Sequence, residues 1–147
     1  MTRPSMPAHQ FIEGHQLVLL AFGRWPGFHD GEVHSVLLDR TRQRADGKFY
    51  PSVELVVRGW NMSSQVTESG YFKLENDSVV HFLFEDISEL ALDGLNHQNV
   101  LSSLDLTLVN GPDDTLLAVE LSHCYGLSGG FQARRAKVVS VTPFAEG

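Results

Sequence analysis

The chain has 147 residues, of which 42% are hydrophobic and 20% charged, a composition typical of one globular domain and not of a disordered chain. The formal net charge is −7, and residues 74–131 contain ten acidic residues but neither lysine nor arginine. Because phosphate binding needs clustered basic side chains, this distribution excludes nucleic acid as the expected partner and favours a basic protein. An acidic surface that only keeps the protein in solution is the alternative.

The N-terminal part of the chain is predicted to contain a flexible segment and one short helix. Residues 1–11 form the flexible segment of a single domain that spans residues 1–147. The helix is expected over residues 13–22, where Leu17, Leu20 and Ala21 follow the i, i+3, i+4 spacing of a helix face. Gly23 and Pro26 then supply a stop signal.

The rest of the chain has the pattern of short β-strands. They are expected at residues 32–39, 52–60, 78–87, 89–95, 101–109, 116–121, 131–136 and 138–141. The side chains expected to face the core in the two clearest strands are Val53, Leu55, Val57, Val80, Phe82 and Phe84. Turn residues occur at Asp46-Gly47 and at residues 110–114. Seven to nine short strands after one helix predict a mostly β fold, either an antiparallel sandwich or an open barrel.

The stretch WPGFHDGEVHSV, residues 25–36, contains four candidate metal ligands. His29, Asp30, Glu32 and His34 lie within six residues of one another. In a strand, the alternate residues Asp30, Glu32 and His34 share a face but lie about 6.6–7 Å apart. That spacing is wide for ligands of a single zinc ion, whose bonds are about 2.0–2.2 Å long. A small metal-dependent enzyme that uses these four side chains is therefore kept as an alternative.

We favour a structural role for the same stretch. Trp25 and Phe28 are predicted to plug the core. Asp30 and Glu32, beside His29, are predicted to tie the loop to the sheet, because short acidic side chains readily accept hydrogen bonds from nearby backbone N–H groups. The segment is then the corner at which the chain enters its first strand.

Two further segments are predicted to be structural. Asn96, His97 and Asn99 form a dense polar cluster that either satisfies a turn, which we favour, or reads the backbone of a partner. Gly126 and Gly129, in the stretch CYGLSGGF, permit positive φ and a tight return into the sheet. The same turn would form the mouth of a barrel in a third hypothesis, a small-ligand-binding β-barrel.

Signals for catalysis and for a cofactor are missing from the sequence. It contains no GxSxG, no GxGxxG and no P-loop. Cys124 follows His123, but adjacent residues of a strand point to opposite faces, so a small buried side chain is favoured over a nucleophile. We predict a protein that is not an enzyme and needs no cofactor.

The sequence also bears on the compartment. The nearest apolar run, residues 17–22, is too short for a signal peptide or a membrane span. A single cysteine excludes an internal disulfide framework and fits a reducing compartment. These features predict a cytoplasmic protein without a membrane partner, and they leave the oligomeric state open.

Three blocks of the chain together resemble a known family. They are WPGFHDGEVHSVLLDR, DGLNHQNVLSSLDL and HCYGLSGGF, in that order. Their order and coexistence, over roughly residues 22–141, resemble bacterial immunity proteins of polymorphic toxin systems, and in particular the immunity protein 50 family. The resemblance implies a mostly β cytosolic protein that binds and neutralises a bacterial toxin domain and has no catalytic residues.

The acidic half of the chain indicates where such a partner would bind. An acidic surface would steer the protein onto a basic toxin. The contact residues expected from the sequence are Glu85, Asp86, Glu89, Asp93, Asp113 and Asp114, with Tyr125 as an aromatic anchor.

Overall fold

Long antiparallel strands make up most of the computed structural model, which describes residues 6–144 other than 67, 69 and 71, and the side chains of these residues other than 62–66, 72–74 and 124. The described residues form a 3₁₀ turn (Ala8–Phe11), one helix, α1 (His15–Phe22), and six strands. The strands are β1 (Glu32–Gln43), β2 (Phe49–Val66), β3 (Phe72–Asp93), β4 (Val100–Asn110), β5 (Thr115–Tyr125) and β6 (Ser128–Pro143). They close into a barrel in the order β1-β2-β3-β6-β5-β4.

The mostly β antiparallel fold with one short helix is confirmed, but the strands are fewer and longer than predicted. The predicted strands at 78–87 and 89–95 are one strand, and so are those at 131–136 and 138–141. Asp86 and Glu89 have positive φ (60° and 54°), and the pairing register with β6 shifts between Ser88 and Ala91, across Glu89. The polar interruption therefore bends β3 without ending it. The strands form a closed barrel, where an antiparallel sandwich or an open barrel was predicted.

Alternation along β2 and β3 supplies the centre of the core. The six predicted inward side chains, at positions 53, 55, 57, 80, 82 and 84, are each at most 1% exposed. Because successive side chains of a strand point to opposite faces, these strands need only one apolar face each. Aromatic rings continue the core across the barrel, with the rings of Phe84 and Phe131 5.0 Å apart.

The helix α1 lies where it was predicted, and its opposite side faces the core. It ends at Gly23, whose φ of 79° is left-handed and whose N–H donates to the Leu19 carbonyl. Val18 and Phe22 are buried, whereas Leu20 is 83% exposed. Val18 and Phe22 are spaced i, i+4, which also fits one side of a helix, so periodicity predicted the helix but not its buried side. No helix in the described part of the chain is long and apolar enough to cross a membrane.

Candidate functional site

The predicted corner, residues 25–36, contains the segment that closes the barrel. β1 and β4 share one residue pair, Glu32 with Val100. Residues 27–33 continue the contact by running antiparallel to the start of β4. Backbone hydrogen bonds of 2.8–3.0 Å join Asp30 and Gly31 to Leu101, Gly27 to Leu104, and Val33 to Asn99. We call residues 27–33 the closing segment.

Phe28 anchors the closing segment in the core. Its φ of 58° is left-handed, and its buried ring lies 6.0 Å from that of Phe22 and 6.1 Å from that of Phe82. Gly59 on β2 makes room for it, because a Cβ atom there would lie 2.7 Å from the Phe28 ring. The ring therefore fills a space that the absence of a side chain at position 59 creates.

Trp25 lies outside Phe28 and is only partly buried. Its indole packs 6.2 Å from the ring of Phe82 and stacks on the imidazole of His9 at 5.0 Å. Burial, and secondarily the neighbouring His15, lowers the pKa of the His9 imidazole below its ordinary value. The neutral ring is therefore favoured near pH 7, and Trp25 joins the N-terminal turn to the core.

The four candidate metal ligands do not form one cluster. His29 lies 3.6 Å from the Asp30 carboxylate and, on its other nitrogen, 3.0 Å from the Ser102 carbonyl. The exposed ring of His34 instead faces Phe144 at 6.2 Å. Among the described residues, no three His, Cys, Asp or Glu side chains are placed to hold a metal ion together.

Asp30 ties the loop to the sheet by a route that differs from the predicted one. Its backbone N–H donates to the Leu101 carbonyl, while its carboxylate lies near His29 and is about half exposed. The backbone of the closing segment finds its partners on β4 directly. These backbone hydrogen bonds join the closing segment to β4.

Asn99 links the loop between β3 and β4 to the loop between β5 and β6. Its buried side-chain oxygen accepts hydrogen bonds from the N–H groups of Asn96 (2.9 Å) and Leu127 (3.0 Å), and its NH₂ group donates to the Asn96 carbonyl at 2.9 Å. Gly126 has a φ of 85°, and a Cβ atom there would lie 2.5 Å from the Gln98 carbonyl oxygen. We call these contacts the Asn99 link.

Replacing Asn99 with alanine is expected to lower the free energy of unfolding by about 2–3 kcal/mol, because buried N–H and C=O groups lose their partners. Urea denaturation of the purified protein measures this loss. Asn110→Ala is the control, because Asn110 is exposed at the end of β4. Equal losses in the two variants would show that the Asn99 link does not stabilise the fold.

Basic side chains of the protein itself occupy part of the predicted acidic surface. Asp86 pairs with Arg44 and, at 3.2 Å, with Arg134, which also contacts Asp114 at 2.8 Å. Glu85 accepts a hydrogen bond from the Tyr50 hydroxyl. The barrel places β6 and the hairpin of β1 and β2 beside β3. Residues 74–131 contain no lysine or arginine. In the folded protein, however, basic side chains from other strands lie among their acidic residues.

The remaining predicted contact residues lie in two places. Asp113 is in the turn that begins β5, whereas Tyr125 is at the other end of that strand. Glu89 and Asp93 are exposed near the end of β3. Tyr125 lies near the residues that follow β3, because its hydroxyl is 3.5 Å from the Asn96 side chain and Gly94 abuts Gly126.

Exposed leucines accompany these acids and were not predicted from the sequence. Leu90 is 44% exposed and Leu95 is 66% exposed. The run ELALDGL contains these leucines, but its pattern predicts only a strand and does not indicate which of them face water. We define the β3-end surface as Glu89, Leu90, Asp93, Leu95 and Tyr125.

The barrel interior is filled by side chains, which argues against the small-ligand hypothesis. Its largest fully buried side chains include Phe28, Phe82, Phe84, Leu55 and Leu117. A cavity for a ligand in that space would require large side chains to move. The Cys124 side chain lies outside the described part of the structure.

Comparison with known proteins identifies one family. A family model described as Immunity protein 50 matches residues 14–144. That range contains α1, the closing segment, the Asn99 link and the β3-end surface. No curated protein and no solved structure matches the chain.

Proposed function

The chain belongs to the immunity protein 50 family, and from that membership we propose that it neutralises a bacterial toxin domain by binding it directly in the cytoplasm. The family match over residues 14–144 carries the proposal. Direct binding needs an exposed surface and no reactive group. The β3-end surface, with its exposed leucines and tyrosine, supplies one.

The β3-end surface has the composition of a protein contact. Tyrosine and leucine side chains there offer apolar area to a partner, and tyrosine is among the residues enriched in the central contacts of interfaces. Glu89 and Asp93 surround this apolar area with negative charge. A basic toxin would be attracted by the charge and held by the apolar contacts.

Charge reversal at Glu89 and Asp93 tests the steering role. The double variant Glu89→Lys and Asp93→Lys is expected to slow association with a basic toxin roughly tenfold at low salt and to flatten its salt dependence. Stopped-flow association kinetics measure both effects. Because these two acids make no ion pair with the described residues, stability should change little.

The matched control reverses two other acids. Glu75→Lys with Glu120→Lys changes the net charge equally, and both residues are exposed outside the β3-end surface. An equal loss of association rate in both double variants would show that total charge, and not this surface, steers the toxin.

The proposed function itself is tested with candidate toxin domains, and the first to test are any that are encoded beside the gene for this chain. Co-expression is expected to restore growth of cells that produce the toxin, and the purified proteins are expected to form a stable complex. Restored growth without a complex would contradict direct binding. Failure of both would contradict the proposed function.

A further inference from the structure

Most of one edge of β1 has no strand partner. On one side, β1 pairs with β2 from Glu32 to Gln43. On the other side, its pairing with β4 is limited to Glu32. Beyond the closing segment, the backbone groups on that edge therefore have no neighbouring strand in the described part of the chain.

Between its two irregularities, at Val33/Ser35 and at Asp39/Arg42, this edge lacks the side chains that commonly protect against pairing with other proteins. Exposed edge strands are commonly shielded by lysine, proline or a covering loop. Residues 33–38, with the sequence VHSVLL, contain no Asp, Glu, Lys, Arg or Pro. Their backbone is therefore free to accept another strand.

An apolar groove runs beside the free edge. It has a volume of about 300 Å³ and is lined by Val36, Leu38, Leu92, Asp93, Gly94, Leu95 and Leu127. Leu38 is 54% exposed and Leu95 is 66% exposed. We call this the β1 groove. It shares two residues with the β3-end surface, so a partner on that surface would also reach the edge.

We propose that the toxin adds an extended segment to the free edge of β1 and places alternate apolar side chains in the β1 groove. The inference rests on the proposed function and specifies how the partner is bound. An added strand would pair its N–H and C=O groups with those of β1. Every second side chain would then face the groove, about 6.6–7 Å apart.

Charge favours a basic toxin segment over a second copy of this chain. Asp93 is the charged residue in the lining of the groove. Asp39 follows Leu38 on β1, and the Thr41 hydroxyl and then its backbone N–H lower the pKa of the Asp39 carboxyl, which keeps it charged. Two copies would bring these acids and a net charge of −7 each together. A segment that alternates apolar and basic residues would instead neutralise them.

Hydrogen exchange in the complex with a candidate toxin domain tests the inference. The amides of residues 34–40 on the free edge are expected to exchange slowly in the complex and faster in the free protein. A complex that leaves these amides unprotected would overturn strand addition while the proposed function stands. Absence of any complex would overturn both.

Two variants test the groove. Leu38→Asp and Leu95→Asp are each expected to weaken toxin binding by at least about tenfold, because each puts a charge into an apolar contact. Leu20→Asp is the control, because Leu20 is exposed on α1 and outside the groove. Thermal melting confirms that the variants fold. Equal affinity of all three would contradict the proposal, as would a dimer of the free protein with the same amides protected.

Discussion

Replacing Gly126 with alanine is expected to lower the free energy of unfolding by about 2–5 kcal/mol. A left-handed backbone costs a non-glycine residue about 1–2 kcal/mol, and overpacking adds about 1–3 kcal/mol. The added Cβ would lie 2.5 Å from the Gln98 carbonyl oxygen and 2.6 Å from the Asn99 side-chain oxygen. Neither atom moves freely, because one is backbone and the other holds the Asn99 link.

Gly47→Ala separates the cost of the left-handed backbone from the cost of overpacking. Gly47, in the turn between β1 and β2, has a φ of 83°, close to the 85° of Gly126, but a Cβ atom there meets nothing within 4 Å. It should cost only the backbone part, about 1–2 kcal/mol. Urea denaturation of both variants measures the difference. Equal losses would show that the loops of the Asn99 link shift without cost.

Phe28→Ala is the second large expected effect, with a loss of about 3–5 kcal/mol, as is typical when a buried phenylalanine is truncated. The ring is 1% exposed and lies between the rings of Phe22 and Phe82. Thermal and urea denaturation measure the loss. The variant should also raise hydrogen exchange in the closing segment, because Phe28 anchors that segment in the core.

Phe49→Ala is the matched control, because this ring is 62% exposed at the start of β2. Its loss should stay within about 0.5 kcal/mol, as expected for a surface substitution. If Phe28→Ala lowered the free energy of unfolding by as little as Phe49→Ala, the backbone hydrogen bonds to β4 would suffice to hold the closing segment, and the Phe28 ring would be dispensable.

Local patterns predicted the parts of the fold that depend on neighbouring residues. Alternation along residues 53–57 and 80–84 predicted which side chains face the core. Turn residues predicted the hairpin at Gly47. The polar residues near Asp86 and Glu89 predicted a strand end, because the same residue types occur in loops and in β-bulges. The number of strands and the closure of the barrel therefore differed from expectation.

Contacts between distant residues limited the prediction of the site. Arg134 contacts Asp86 and Asp114, a grouping that follows from the strand order and leaves no trace in the local sequence. Asn99 was predicted to be structural from its amide alone, but its bond to Leu127 depends on how two loops meet. The exposed leucines were visible in the sequence, but their exposure depends on the bend in β3.

The contacts of the closing segment are expected to form late in the folding of this protein. It joins residues far apart in the chain, as in the contact between His29 and Ser102, 73 positions apart. Contacts of such high sequence separation slow folding, because loop entropy is lost before they form. Until they form, the closing segment and the start of β4 present open backbone edges in addition to the free edge of β1, and such edges promote aggregation. The net charge of −7 opposes that aggregation by keeping unfinished chains apart.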